Sequence, residues 1–179
     1  MNTYWFEVEI GRPVTDDHIE ALGDVLTDAG GIDAIVQGGQ QGGTVTFSRE
    51  ADDAMQAVIS AIEHVEASGM DVTGVTEDRV VVSEIAERAG VTPTTVRYWQ
   101  TGERGPGGFP APKVRRQRAS LYSWAEVSAW LEAAKLGEVD HAAAETAQAC
   151  VLVNAALTVR SGMRELPAHD RPLLARLVA

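Results

Sequence analysis

The stretch VSEIAERAGVTPTTVRYWQTGERGPGGFPAPKVRRQRASLYSWAEVSAW, residues 82–130, guides the interpretation of the whole chain. Two short helical patterns meet at Ala89, Gly90 and Val91, and glycine permits the tight turn that joins such helices. A glycine- and proline-rich segment follows, then an arginine-rich run and a third helical pattern. This order of helix, turn, helix, basic hairpin and helix is typical of DNA-binding modules.

Local signals within this stretch predict where the helices begin and which side chains face the core. Ser83 is placed to cap the first helix. Thr92 is placed to cap the second, with Pro93 at the first helical position, where its missing N–H costs nothing. Val96 and Trp99 share one helical face, so we expect both to point inward.

The segment after the second helix cannot continue it. Residues 101–112 carry four glycines and three prolines, which break both helices and strands. We expect an ordered turn that Phe109 pins to the core. Residues 113–118 and 121–123 are then predicted to pair as a hairpin, and the S-x-x-E spacing that begins at Ser123 predicts a capping box for the next helix.

Charge is distributed unevenly. The net charge is -11, yet residues 80–135 hold 8 basic and 5 acidic side chains, whereas residues 1–79 hold 3 basic and 16 acidic ones. Asymmetry of this kind is a signal of a charged partner. The basic side chains cluster on the second helix, the turn and the hairpin, where cations near phosphates would release counterions.

The N-terminal residues 1–78 have the patterns of β-α-β-β-α-β. Residues 4–10 alternate as a half-buried strand, and Thr15 is placed to cap a helix. Two strands, residues 32–37 and 44–48, are predicted to be joined by a longer glycine-rich loop. Two apolar stripes predict the inward sides of the helices: Ile19, Leu22, Leu26, Met55, Val58, Ile62 and Val65. This order resembles the ferredoxin-like split βαβ arrangement.

Residues 136–179 are predicted to form a helical tail. A long helix over 137–164 is expected to carry its apolar side on Leu152, Ala155, Ala156 and Val159. A last short helix is expected near 173–178. Dimerisation through this tail is preferred over packing within the chain, because DNA sites often have two-fold symmetry.

The remaining composition excludes several classes of site. Cys150 is the single cysteine, so a disulfide within the chain and a cysteine-based zinc site are both excluded. The four histidines show no metal-binding spacing: His18, His64, His141 and His169. The N-terminus is not a signal peptide, and the apolar run 147–159 is shorter than the roughly 20 residues that span a bilayer. We expect a cytoplasmic protein without a metal or cofactor.

The central module resembles a known superfamily. GVTPTTVRYWQ is similar to the second helix of the winged helix-turn-helix in MerR-type regulators, and GGFPAP with SLYSWAEVSAWLE resembles the related AlpA/excisionase proteins. The resemblance covers residues 80–135. It implies a recognition helix, 92–101, in the major groove and a wing, 113–123, on the backbone or minor groove. The candidate DNA-binding residues are Ser83, Thr92, Thr94, Thr95, Arg97, Tyr98, Arg104, Lys113, Arg115, Arg116 and Arg118.

Three functions remain open. The leading one is a sequence-specific transcriptional regulator whose acidic N-terminal domain binds a ligand or a protein, or folds back on the wing. The second is an excisionase-like architectural protein of recombination, and the third is a protein-interaction adaptor that has lost DNA binding. An enzyme is not expected, because no pairing of nucleophile, acid and base occurs at mechanistic spacing.

Overall fold

The computed structural model describes residues 1–117 and 119–178, so the candidate residue Arg118 lies outside the described residues. Its mixture of helix and sheet agrees with the predicted α+β class. In chain order the elements are β1 (Asn2–Ile10), α1 (Asp16–Asp28), β2 (Ala34–Gly39), β3 (Gly42–Ala51), α2 (Ala54–Ala67), β4 (Val72–Val75), β5 (Arg79–Val80), α3 (Val82–Arg88), α4 (Pro93–Thr101), β6 (Val114–Arg115), β7 (Ser120–Ser123), α5 (Trp124–Ala134), α6 (His141–Glu165) and α7 (Arg171–Val178).

The first four strands form one antiparallel sheet in the order β2-β3-β1-β4. Alternation along β1 is as predicted, since Val8 is fully buried while Trp5 is 68% exposed. Helices α1 and α2 cover the buried face, and Thr15 caps α1 through its hydroxyl, which accepts from the His18 N–H. Ile19 was predicted to point inward but is 44% exposed, although it shares a side of α1 with the buried Leu22 and Leu26; it lies in the first turn of the helix.

The glycine-rich segment between β2 and β3 is not the longer loop that was predicted. Pairing continues through Gly38 with Gly43 and Gly39 with Gly42, which leaves a two-residue turn. Glycine is required at this end of the hairpin. A Cβ atom on Gly42, whose φ is +99°, would lie 2.2 Å from the carbonyl oxygen of Ile10. Glycine therefore allows the backbones of β1 and β3 to approach closely at this end of the strands.

A second sheet has the order β5-β7-β6. Its strand β5 was not predicted; it begins at Arg79, and Val80 pairs with Tyr122. Val80 is 1% exposed and belongs to a core built from α3, α4, β7 and α5. The pattern was missed because a strand of two residues is too short to show periodicity.

The long helix α6 begins at His141, capped by Asp140, rather than at residue 137. Its predicted apolar side is wrong, since Leu152 is 61% exposed and Ala155 and Ala156 are also exposed. The buried side is a different one: Ala144, Thr146, Ala147, Ala149, Cys150, Val153 and Leu157. Small residues on that side let the helix approach closely, and it contributes to the cores of both sheets.

The buried side of α6 packs within the chain. The sequence had instead favoured the use of this tail in dimerisation. By length and composition alone, α6 is also long and apolar enough to cross a bilayer, with a mean hydropathy of 1.3 over its most apolar window. The core helix of a soluble protein meets the same criteria of length and composition. Here the buried side faces the protein's own core.

One side chain of α6 covers the edge of the first sheet. Strand β4 is an edge strand, and edge strands carry unpaired backbone groups. Asn154 accepts a hydrogen bond from the Val75 N–H at 2.8 Å and donates one to the Val75 carbonyl at 2.7 Å. Its amide thus pairs with both backbone groups of Val75, as a neighbouring strand would.

Candidate nucleic-acid interface

The turn between α3 and α4 has the geometry that its sequence predicts. Gly90 adopts φ +64°, the left-handed region that glycine enters at little cost. The Val91 N–H reaches back to the Ala86 carbonyl and ends α3. Thr92 then caps α4, with Pro93 at its first position. This turn fixes the start of α4 relative to α3.

The start of α3 differs from the prediction. The residue that precedes the helix is Val81, and the carboxylate of Glu84 accepts a hydrogen bond from its N–H at 2.8 Å. Ser83 is therefore not the cap and lies exposed in the first turn. The signal that was overlooked is Glu84, whose longer side chain reaches back to the free backbone N–H.

The candidate residues on α4 divide into those held by the protein and those left at the surface. The Thr92 hydroxyl caps the helix and lies 3.0 Å from the Thr95 hydroxyl, so both threonines are engaged locally. Thr94 and Arg97 are exposed. Tyr98 is half-buried, and the Arg104 guanidinium lies 4.8 Å from the centre of its ring. This cation–π contact fixes Arg104 beside the end of α4.

Aromatic packing holds the glycine- and proline-rich segment in place, as predicted for Phe109. The Phe109 ring lies 5.1 Å from Trp130 and 5.8 Å from Tyr122, centre to centre. The Trp130 indole N–H donates to the Gly107 carbonyl at 2.9 Å. Gln100, at the end of α4, donates to the Tyr122 hydroxyl at 2.8 Å. Helix α4 and the hairpin strand β7 are thereby tied to one core.

The predicted hairpin is present but short. Val114 pairs with Leu121 and Arg115 with Ser120, and the Arg116 N–H donates to the Ala119 carbonyl. Arg115 and Arg116 are both exposed. Arg115 is the last residue of β6 and Arg116 follows it, so the hairpin presents two adjacent guanidiniums at its surface.

The hairpin is anchored by an ion pair that replaces the expected capping box. Ser123 precedes α5, but its side chain makes no capping hydrogen bond, so that prediction was wrong. Glu126 instead binds the Lys113 ammonium group. Both side chains are close to half exposed, so the pair is screened by water. Lys113 is thus partly neutralised and positions the hairpin against α5.

The other guanidiniums of the module are differently placed. Arg97, Arg104, Arg115 and Arg116 are exposed and form no ion pair with any residue in the described ranges. Such side chains keep their full charge for an external anion. They lie on α4, the segment after it and the hairpin, all of which pack on the same core.

One structural contact of a basic residue in the module had no signal in the sequence. Arg88, at the end of α3, binds Asp78 through both guanidinium nitrogens and lies 4.9 Å from the Trp124 ring centre. The backbone N–H of Trp124 also donates to the Asp78 carbonyl. Residues before β5 are thereby fastened to α3 and α5. A basic residue of the module is used here for structure and is not available to a ligand.

The acidic domain contains a buried cation of its own. Arg49 is 7% exposed and binds both carboxylate oxygens of Asp33, at 2.7 and 3.0 Å. It also donates to Ser60 and lies 3.3 Å from Nδ1 of His64. Burial, and then the Arg49 charge, lower the pKa of His64, so the neutral imidazole accepts from the guanidinium. The network is internally satisfied, which favours a structural role.

Other chemical centres are sparse. Cys150 is buried, and burial together with the nearby carboxylates of Asp78 and Glu77 raises its thiol pKa to about 12. A thiol in that state is a small apolar residue rather than a nucleophile. Among residues 1–117 and 119–178, no group of histidine, cysteine and acidic side chains is arranged to hold a metal ion.

Comparison of the chain with protein-family models, with curated proteins and with solved structures gives no match.

Proposed function

We propose that this chain is a sequence-specific DNA-binding protein that acts as a transcriptional regulator. One observation carries the proposal. Four exposed guanidiniums without an ion pair in the described residues, those of Arg97, Arg104, Arg115 and Arg116, lie on α4, on the segment after it and on the hairpin, and a tight turn joins α4 to the helix before it. Cations in such a position neutralise phosphates, which is the main source of sequence-independent affinity for DNA.

The division of labour follows from what each side chain already does. Thr94 and Arg97 are free to contact base edges from α4. The hydroxyls of Thr92 and Thr95 are committed to each other and to the cap. Arg115 and Arg116 contact phosphates from the hairpin. Phosphate contacts position a protein on the duplex, and base contacts specify the sequence.

In this proposal the central module is a winged helix-turn-helix similar to those of MerR and AlpA/excisionase proteins. The β2-β3-β1-β4 sheet with α1 and α2 is a ferredoxin-like domain. The divisions are residues 1–78, 80–135 and 136–179. The protein acts in the cytoplasm as a homodimer on double-stranded DNA, and it has no catalytic activity, metal or cofactor. The acidic domain binds a ligand or a protein partner.

Selection of bound fragments from random DNA tests the proposal. The full chain is expected to enrich one sequence. A Thr94→Val variant should enrich a different sequence, whereas Arg116→Ala should weaken all sequences alike. Failure to retain any DNA at low salt would instead support the adaptor function.

The excisionase-like alternative predicts a different outcome in the genome. A regulator should protect one operator upstream of a transcribed region, whereas an architectural protein should protect repeated sites in series. Footprinting of the enriched genomic fragments separates the two arrangements.

A further inference from the structure

The C-terminal helix α7 exposes two of its three leucines. Leu173 is 62% exposed and Leu177 is 83% exposed, and residues four apart share one side of a helix. The hydrogen bonds that anchor α7 run from the Arg171 guanidinium to the carbonyls of Arg164 and Leu166, at the end of α6. Large leucines on one side of a short helix indicate a docking face.

A groove between α2 and α6 offers a matching apolar surface. Its volume is about 510 Å³. Ile59, 43% exposed, and Leu152, 61% exposed, form its walls, and Val153 and Leu157 lie at its base. Leu152 is exposed because it lines this open groove, whereas the sequence pattern predicted that it would be buried.

The dimensions and charges of the two surfaces correspond. Helix α7 has eight residues and is about 12 Å long, while residues 55–66 of α2 extend over about 18 Å. Glu63 lies on the groove and forms no ion pair with another described residue, whereas Arg160 already neutralises Glu66. Arg176 flanks the leucines of α7 and provides the charge opposite to that of Glu63.

We propose that α7 of one copy docks in the α2–α6 groove of a second copy, with the same contact repeated in the other direction. Within one chain, no described residue of α7 lines the groove, and Leu166, with an extended backbone, ends α6 before Pro167. When each copy places its α7 in the groove of the other, both grooves are filled and neither is left for a third copy, as expected of a closed dimer. This inference does not depend on the proposal that the chain binds DNA.

Cross-linking between two variants that each carry one introduced cysteine tests the contact. Full-length Ile59→Cys and Leu177→Cys chains of different tag mass are mixed and treated with a short bismaleimide. Since each chain carries one introduced cysteine, a product between the two must join two copies. Cys150 does not interfere in the folded protein, because it is 2% exposed and its thiol pKa is about 12.

The matched control replaces Leu177→Cys with Ala175→Cys, which lies on the other side of α7. We expect the Ile59–Leu177 product to exceed the control product at least about tenfold, since docking raises the local concentration of the two thiols. Adding Leu173→Glu to the Leu177→Cys chain should abolish the excess. Circular dichroism of each variant verifies that it is folded.

Two results would overturn the proposal. One is an Ile59–Leu177 yield equal to that of the control at micromolar protein. The other is a cross-link that forms within an Ile59→Cys, Leu177→Cys double variant at nanomolar concentration and never between copies. The second result would assign the groove to the chain's own α7.

Discussion

Replacement of Asn154 tests how α6 is fastened to the first sheet. Its side chain makes two hydrogen bonds, of 2.8 and 2.7 Å, to the backbone of Val75, which is 1% exposed. A hydrogen bond contributes about 1 kcal/mol net. Water can enter the adjacent groove of about 470 Å³ when the side chain is shortened. Asn154→Ala should therefore lower the free energy of unfolding by about 2 kcal/mol.

Asn154→Leu provides a sharper comparison, because leucine fills the space and excludes water. Both backbone groups of Val75 then stay unpaired, and each costs about 1 to 3 kcal/mol. We expect a total loss of about 3 to 4 kcal/mol, although leucine is the more apolar residue. Gln148→Ala, on the exposed side of the same helix, is the control and should change stability by less than about 0.5 kcal/mol.

The assay is equilibrium unfolding in urea, together with amide hydrogen exchange at Val75. The two variants should lose protection at the Val75 N–H even under conditions where the rest of the sheet stays protected. Two results together would refute this reasoning. They are a free energy of unfolding of Asn154→Ala within about 0.5 kcal/mol of the parent, which is the size of a neutral surface change, and unchanged protection of the Val75 N–H. The two hydrogen bonds of Asn154 would then contribute nothing to stability.

Two further predictions follow from titratable groups. The thiol of Cys150, with its pKa of about 12, should resist iodoacetamide in the native protein and react fully in denaturant; rapid native labelling would contradict its burial. Because the pKa of His64 is lowered in the folded protein, the unfolded chain binds a proton at this residue more readily. The neutral imidazole therefore contributes to the stability of the folded protein above about pH 6.5. This contribution is lost as the pH falls through the lower pKa of the folded state. Urea unfolding from about pH 8 to about pH 5 should show a smaller loss in His64→Gln than in the parent, and an equal loss would contradict the link to Arg49.

The sequence predicted the parts of the fold that rest on local chemistry. Thr15 and Thr92 cap their helices because their hydroxyls reach a backbone N–H three residues away, a relationship visible in the sequence. Val96 and Trp99 are buried for a similar reason, since helical spacing places them on one side. The α+β class follows from the same periodicities.

The errors arise where contacts between distant residues override a local pattern. Glu126 has the spacing of a capping box, yet it binds Lys113, thirteen positions away. The sequence of α6 is apolar on more than one side, so periodicity alone could not choose between Leu152 and Val153. The structure buries the side with Val153 because small residues on it allow close packing against both cores.

The candidate nucleic-acid interface could likewise be predicted from the sequence only in part. Composition identified the cluster of basic side chains but not which of them are engaged within the protein. Lys113 is paired with Glu126, and Arg88 is clamped to Asp78. These pairings depend on the tertiary fold. Among the described residues they leave four arginines of the module without an ion pair, and these carry the proposed interface.

The salt dependence of DNA binding tests the central claim most directly. Each phosphate that a cation neutralises contributes about -0.9 to the slope of log Kobs against log salt concentration. The four guanidiniums should therefore give a slope of about -3.6 on a mixed-sequence duplex, before any other cation contributes. The Arg115→Ala, Arg116→Ala variant should bind more weakly, with a slope less negative by about 1.8.

The control variant is Arg12→Ala, Arg164→Ala, which removes the same charge outside the module and should leave the slope unchanged. An equal slope for the parent and the hairpin variant would contradict the proposed interface. So would an equal change in the two double variants, because binding would then follow total charge rather than the four unpaired guanidiniums.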